Sequence, residues 1–345
     1  MTNEPQRHRV TENGFLVTAV TKKTLCLCVS VVLLFSFFSA PVNAAIDLSS
    51  EALLRDHLWR EVRQAPSGRR PKVGLVLSAG SLRGVAHVGV ISALEDAGFP
   101  IDYVAGTSMG AVVGAMYAAG LPLKRIFEWT STINVGTGND LSSARLISLL
   151  LFDKLLSSEK TEVMLRKGIG SIRFDQTLKP FACVAMDVYT GEAIIFRDGD
   201  VAKAVRASMN LPGIFKPLEY RHRFLVDGGV VDYIPVDAAK LLGAEWTLAS
   251  VTETDYTTSR PQNVLESLLQ VIDIRGSYLS QEQRRHADFL IEPPVGDIGM
   301  FEDHRIGEAI EKGVITASAR LDAAKESLIL ASIPKLAGAW GVKVK

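Results

Sequence analysis

Short apolar runs alternate along this chain with stretches in which apolar residues recur every three or four positions, and the two patterns predict different elements. Lys72–Ser78 (KVGLVLS), Ile101–Gly106, Phe181–Asp187, Ala193–Phe196, a pair around Leu218–Val226, Trp246–Val251 and Asp288–Ile291 read as strands. Gly84–Ala97, Met109–Ala119, Val201–Ser208, Val236–Leu242, Asn263–Arg284 and Arg305–Ser327 read as helices. This alternation predicts an α/β chain, a three-layer α/β/α fold with a mainly parallel central sheet covered by helices. Leu121–Lys167 is mostly helical in pattern and contains RLISLLLFDKLL, Arg145–Leu156, which is too apolar for a solvated helix. Ser49–Gln64 sets Leu53, Leu54, Leu58 and Val62 at helical spacing, and the APSGRRPK that follows reads as a linker.

The first 44 residues follow another rule. Thr24–Phe38 is apolar except for Thr24, Ser30 and Ser36, and Lys22 and Lys23 precede it. A positive flank, a short apolar run and small residues at Val42 and Ala44 have the layout of an export signal, with cleavage expected between Ala44 and Ala45. The alternative is an uncleaved anchor, against which stand the roughly 20 residues needed to span a bilayer and the breaks at Ser39, Pro41 and Asn43. The expected organisation is a leader over 1–44, an amphipathic helix and linker over 45–71, one domain over 72–327 and a tail over 328–345. An exported chain of this kind is expected in the periplasm or cell envelope, or secreted.

Composition then narrows the function. The chain has 345 residues, 47% hydrophobic and 22% charged, enough for a large core and too apolar for a disordered protein. Its 38 basic and 38 acidic side chains cancel, so no overall field draws it to nucleic acid, and a nucleic-acid partner is excluded. Without residues 1–44 the balance is 34 basic to 36 acidic. The three cysteines, Cys26, Cys28 and Cys183, make neither a disulfide framework nor a zinc site, and Cys183 in FACVAM reads as a buried thiol.

Three short motifs carry chemistry. Gly106-Thr107-Ser108-Met109-Gly110 is G-x-S-x-G between a strand and a helix, the context in which a serine is held on a strained turn with its hydroxyl above the sheet. The start of the following helix favours developing negative charge. Ser78-Ala79-Gly80-Ser81-Leu82-Arg83-Gly84 also joins a strand to a helix, and its backbone N–H groups can converge on an anion as a phosphate cradle or an oxyanion hole. It fits neither G-x-G-x-x-G nor a Walker loop, so no nucleotide and no other cofactor is expected. Arg83 has two readings, an electrostatic aid to the anion or a surface or packing residue. Asp227-Gly228-Gly229 ends a strand on a tight turn, and with Ser108 it suggests a base. Asp232 is the nearest competitor, without the two glycines. A triad using His286 or His304 is the rival arrangement, although both histidines lie in polar surroundings.

These motifs, in this order, resemble the patatin-like phospholipase family. GVAHVGVISALEDAG is similar to the family's first helix, PFACVAMDVYTGEAIIF to its middle strands, ASMNLPGIFKPL to the segment before its aspartate, and LVDGGVVDYIPVDAAKLLGA to the aspartate segment. ADFLIEPPVGDIGMFEDHRIGEAIEKG is similar to its closing strand and helix, so the resemblance runs from about Lys72 to about Leu321. It implies a serine acyl hydrolase with Ser108 as nucleophile, Asp227 as proton acceptor, and an oxyanion hole in Gly80, Ser81, Leu82, Arg83 and Gly84. It further implies Gly106, Gly110, Gly228 and Gly229 as motif glycines, a structural role for His87, no metal, and a lipid or acyl-ester substrate with peripheral membrane contact. Arg145–Leu156 is then a lid, a channel wall or core. No membrane barrel of the kind that longer bacterial relatives carry is expected in these 345 residues. Ala79 and Ser81 stand where the family's loop has glycines; at a positive φ either would cost about 1–2 kcal/mol. The alternative function is a silent lipid-binding protein that keeps the fold.

Overall fold

The computed structural model describes residues 50–66, 68–131, 155–257, 260–300 and 302–339. The chain divides into two compact units, Met1–Leu53 and Leu54–Lys345. Of the first, the described part is Ser50–Leu53, the opening turn of helix α1 (Ser50–Gln64). The export signal and anchor readings fall outside the described residues, as does the apolar run up to residue 154.

The second unit carries an eight-stranded sheet in the order β5-β6-β3-β2-β1-β7-β8, with β4 paired to β3 off that path. The strands are β1 (Val73–Leu77), β2 (Tyr103–Thr107), β3 (Phe181–Asp187), β4 (Ala193–Phe196), β5 (Leu218–Tyr220), β6 (Arg223–Asp227), β7 (Trp246–Ser250) and β8 (Phe289–Ile291). From β3 through β2, β1 and β7 to β8 every pairing is parallel, while β4, β5 and β6 join antiparallel. All five residues of β1 are buried, as expected of a strand covered on both faces.

The period of two sorts side chains between the layers. Val73, Leu75 and Leu77 of β1 face one core, shared with α2 (Ala86–Asp96), α3 (Met109–Ala118), α6 (Val201–Ser208) and α9 (Ile306–Ala339). Val76 faces the other, shared with α7 (Val236–Leu242) and with Leu279 of α8 (Val264–Gln283). Helices α4 (Leu123–Ser131) and α5 (Glu159–Ile169) lie on either side of residues 132–154.

Two expectations change. Helix α1 buries Trp59 and Val62 while Leu53 and Leu54 are exposed. The wide indole, its ring centre 5.3 Å from that of Phe99 and tilted to it, outranks the leucine stripe because it has more apolar area to remove from water. The last helix runs to Ala339, past Ser327 and through Pro334, because Leu328, Ile329 and Leu336 continue its buried face. Among the described residues no helix is long and apolar enough to cross a membrane.

Candidate active site

Strand register brings Ser108 and Asp227 together. Along the edge of β3 opposite β4, β2 pairs first and β6 follows it: Thr107 pairs with Val184, so Ser108 comes level with Ala185, and Asp227 pairs with Ala185 itself. Ser108 Oγ donates to Asp227 Oδ2 at 2.6 Å, and Asp227 Oδ1 accepts the Gly229 N–H at 2.7 Å. Both side chains are buried. Ser108 sits at φ 55°, ψ −122°, a backbone strain held by its surroundings, and it caps α3, whose ten residues are all buried. Burial pushes the Asp227 carboxyl up to about 6, against the lowering effect of its bonds from Ser108 and Gly229. A carboxylate so tuned is a far better proton acceptor near neutrality than a solvated one.

Two further groups fix the pair. The Ser108 N–H donates to Ser208 Oγ at 2.9 Å, and that hydroxyl donates to Val184 O at 2.5 Å, tying the serine turn to β3. The Asp227 N–H donates to Asn210 O at 2.9 Å, while the Asn210 amide donates to Lys216 O and Leu225 O. Neither Ser208 nor Asn210 stands out in the sequence, where a serine ending an apolar helix pattern and an asparagine two positions on are the signal.

The second loop lies against the same turn. Leu82, Arg83, Gly84 and Val85 form a buried 3-10 turn begun by Ser81 and capped by Gly80. Such a turn starts with N–H groups that have no acceptor within the helix. A methyl group on Gly110 would sit 2.3 Å from Leu77 O, so only glycine lets the serine helix approach the end of β1. Gly80 is extended at φ 162°, and a Cβ there would meet Thr252 Oγ1 at 2.2 Å, so glycine is required by space. Ser81 is the strained position, at φ 50°, whereas Ala79 is not in the left-handed region. Gly84 faces Met109, Gly106 packs on Gly110, Gly228 on Val184, and Gly229 lies between Ala79 and Asp227.

His87 and Thr252 hold the loop from behind. His87 Nε2 is 3.0 Å from Ser78 O and Nδ1 is 2.8 Å from Ser250 Oγ, so the imidazole donates to the carbonyl and accepts from the hydroxyl. Burial pushes it down to about 4, which keeps it neutral. The Thr252 N–H donates to Ser78 Oγ, and the Ala79 N–H to Tyr233 O. The Arg83 guanidinium donates to Ile298 O at 2.9 Å and to Asp273 at 3.2 Å, the packing reading of that residue.

Asp232 is hydrogen-bonded to Gln283 at 3.1 Å, and burial together with neighbouring Asp237 pushes it up to about 6. It makes no hydrogen bond to Ser108. His286 and His304 are exposed and bond to neither Ser108 nor Asp227. Cys183 is buried in β3 with its thiol pushed up by desolvation. Among the described residues no three His, Cys, Asp or Glu side chains converge as a metal site.

Residues 75–240 match the family model described as Patatin-like phospholipase, a span that contains Ser108 and Asp227. A Mycobacterium tuberculosis protein described as an uncharacterized NTE family protein is 35% identical over 179 residues, which cover 52% of this chain and 48% of its own. Patatin-like phospholipase domain-containing protein 6 of Mus musculus is 32% identical over 200 residues, 54% of this chain and 14% of its own. Human GIVD cytosolic phospholipase A2 is 11% identical with a TM-score of 0.45, over 82% of this chain and 63% of its own. The aligned part spans about half the mycobacterial protein and a small part of the mouse one.

Proposed function

The chain belongs to the patatin-like phospholipase family through residues 75–240, and from that premise we propose that it is a serine acyl hydrolase acting on fatty acyl esters of phospholipids or related lipids. The observation that carries this reading is the 2.6 Å bond from the Ser108 hydroxyl to a buried carboxylate whose affinity for a proton is raised by desolvation.

In the proposed reaction Asp227 takes the Ser108 proton as Oγ attacks the ester carbonyl carbon. The carbonyl π pair moves to oxygen, and the oxyanion is held by backbone N–H groups at Gly80 and Ser81, with those of Leu82, Arg83 and Gly84 shaping the turn and the α3 dipole adding to the field. Collapse expels the alcohol, which takes the proton from Asp227 and leaves an acyl-serine. Water then gives its proton to Asp227, attacks the acyl carbon, and returns Ser108 as the alcohol with release of the fatty acid. No imidazole is needed, because burial supplies the basicity a solvated aspartate lacks.

We also read residues 1–44 as an export leader, which places the hydrolase in the periplasm or cell envelope; N-terminal sequencing of the exported protein tests it, and a chain retaining Met1 would sink it. The activity is tested on p-nitrophenyl esters and defined phospholipids with the parent chain, Ser108→Ala, Asp227→Asn and His286→Ala. Loss in the first two variants with His286→Ala unchanged is expected. Equal loss in His286→Ala would restore the triad, and inactivity of the parent on every ester would leave a silent lipid-binding protein.

A further inference from the structure

Helix α8 carries three exposed apolar side chains at intervals of seven: Val264, 82% exposed, Val271, 60%, and Tyr278, 62%. At 3.6 residues per turn they fall within about 40° of one another and extend about 21 Å along the helix. Apolar exposure gathered on one stripe of a helix is the kind that calls for a partner. On that face Arg275 lies between Val271 and Tyr278. Glu266 and Asp273 fall on the far side by helical angle, with Asp273 paired to Arg83, while Glu282, one turn past Tyr278, falls on the stripe side and is paired with Arg285.

The inner face of α8 is fastened to the candidate active site. Leu269 is buried there with Ile214 and Phe215, and from the stripe side Arg275 Nε reaches back to donate to Val230 O at 3.3 Å, just past the Asp227-Gly228-Gly229 turn. Gln283 Oε1 accepts the N–H groups of Tyr233 and Ile234, each at 2.9 Å. Through Asp273 the helix holds Arg83 of the other loop. What rests on the outer stripe is therefore braced against both loops that flank Ser108.

Resting on the acyl-hydrolase reading, we infer that the Val264–Val271–Tyr278 stripe of α8 is the surface by which this protein docks on a phospholipid layer. Two valines and a tyrosine offer well under half of the roughly 800 Å² per partner that a stable protein interface buries, which disfavours a second copy. The same stripe suits a shallow amphipathic contact: apolar side chains enter the acyl boundary, the tyrosine takes the interfacial level, and the exposed Arg275 guanidinium, held at Nε by Val230 O, meets lipid phosphates, while Glu282 on that side is paired with Arg285.

The test uses the full chain carrying Ser108→Ala, so that vesicles are not consumed, with sucrose-loaded phosphatidylcholine vesicles and sedimentation. Combining Val264→Ser, Val271→Ser and Tyr278→Ser is expected to lower the partition coefficient at least ~tenfold, with an unchanged thermal unfolding midpoint as proof of folding. A control pair on other exposed apolar positions, Leu241→Ser with Ile315→Ser, is expected to leave partition unchanged. Full binding by the stripe variant, or equal loss in the control pair, overturns the inference. So does a parent that self-associates in sedimentation velocity and becomes monomeric only in the stripe variant, since the face is then a protein interface. Hydrolysis of p-nitrophenyl butyrate by the parent with Ser108 intact is read in parallel. Its absence defeats the hydrolase reading alone, because vesicle partition does not depend on it.

Discussion

Asp227 is held where its ionised form is poorly solvated, and that tension has a measurable sign. Its carboxyl rests at about 6 in the folded chain against 3.8 in an ordinary one, so between those values the folded state binds more protons than the unfolded state. Stability from this group therefore falls as pH rises from about 4 to about 6, and the full penalty is present above 6. Asp227→Asn removes the charge and is expected to gain on the order of 2–3 kcal/mol at pH 8, seen as an unfolding midpoint raised by about 2–6 °C, while abolishing hydrolysis. At pH 4 the gain should vanish; a gain independent of pH would refute the buried-charge account. The parent's activity should fall as pH drops below about 6, where the base is protonated. At the second loop, two substitutions separate strain from sequence habit. Ser81→Gly relieves a left-handed residue and is expected to stabilise by up to ~1 kcal/mol, whereas Ala79→Gly, with no positive φ to relieve, should destabilise by about 0.5–1 kcal/mol. Thermal melts that gave both the same sign would remove strain as the distinction. The motif glycines and the two acid and hydroxyl positions were legible as residue types in a local context. The conformational difference between Ala79 and Ser81 was not, because φ is set by Thr252 and Tyr233, which reach the loop from about 150 positions further along the chain.

Among the elements, periodicity found Phe181–Asp187, Ala193–Phe196, Val201–Ser208 and Val236–Leu242 to the residue, since each is a short apolar run bounded by polar or turn residues, and all but the half-exposed Ala193–Phe196 have a largely buried face. It stopped the last helix at Ser327 because the pattern ahead contains Pro334, whose cost the buried Leu328, Ile329 and Leu336 offset. Nor could periodicity show where α2 and α9 meet. Their contact is a glycine pair: a Cβ on Gly89 would fall 2.0 Å from Ile310 O, and one on Gly313 2.2 Å from Ala86 O. Ordinarily Gly→Ala in a helix gains roughly 0.5–1 kcal/mol. Here Gly313→Ala is expected to lose about 1–3 kcal/mol by forcing the helices apart. Gly307→Ala in the same helix, with open space around it, should be neutral or stabilising. Urea unfolding of the two variants checks the inversion, and a stabilising Gly313→Ala would mean that the helices do not pack this closely.

At the scale of the whole molecule, charge decides how a lipid layer is reached. The full chain is neutral, and the 34 basic and 36 acidic groups after residue 44 leave it slightly negative, so attraction over more than about 8–10 Å has no source in net charge. Register along one edge of β3, which the composition says nothing about, sets Ser108 and Asp227 side by side where β2 ends and β6 begins, and α8 is fastened beside them. Contact with lipid through α8 then consists of two valines, one tyrosine and the cation Arg275, since Glu282 on that side is paired with Arg285. One basic residue near an anionic surface contributes about 1 kcal/mol, roughly fivefold in partition, and apolar contact does not weaken with salt. Binding to vesicles containing phosphatidylglycerol is therefore expected to fall no more than about fivefold between about 0.05 M and about 0.5 M sodium chloride. On phosphatidylcholine alone it should hardly change. Partition measured by sedimentation across that range checks this. A fall of a hundredfold or more would mean that several basic side chains act together, and it would move the docking surface away from the α8 stripe to a cationic patch elsewhere.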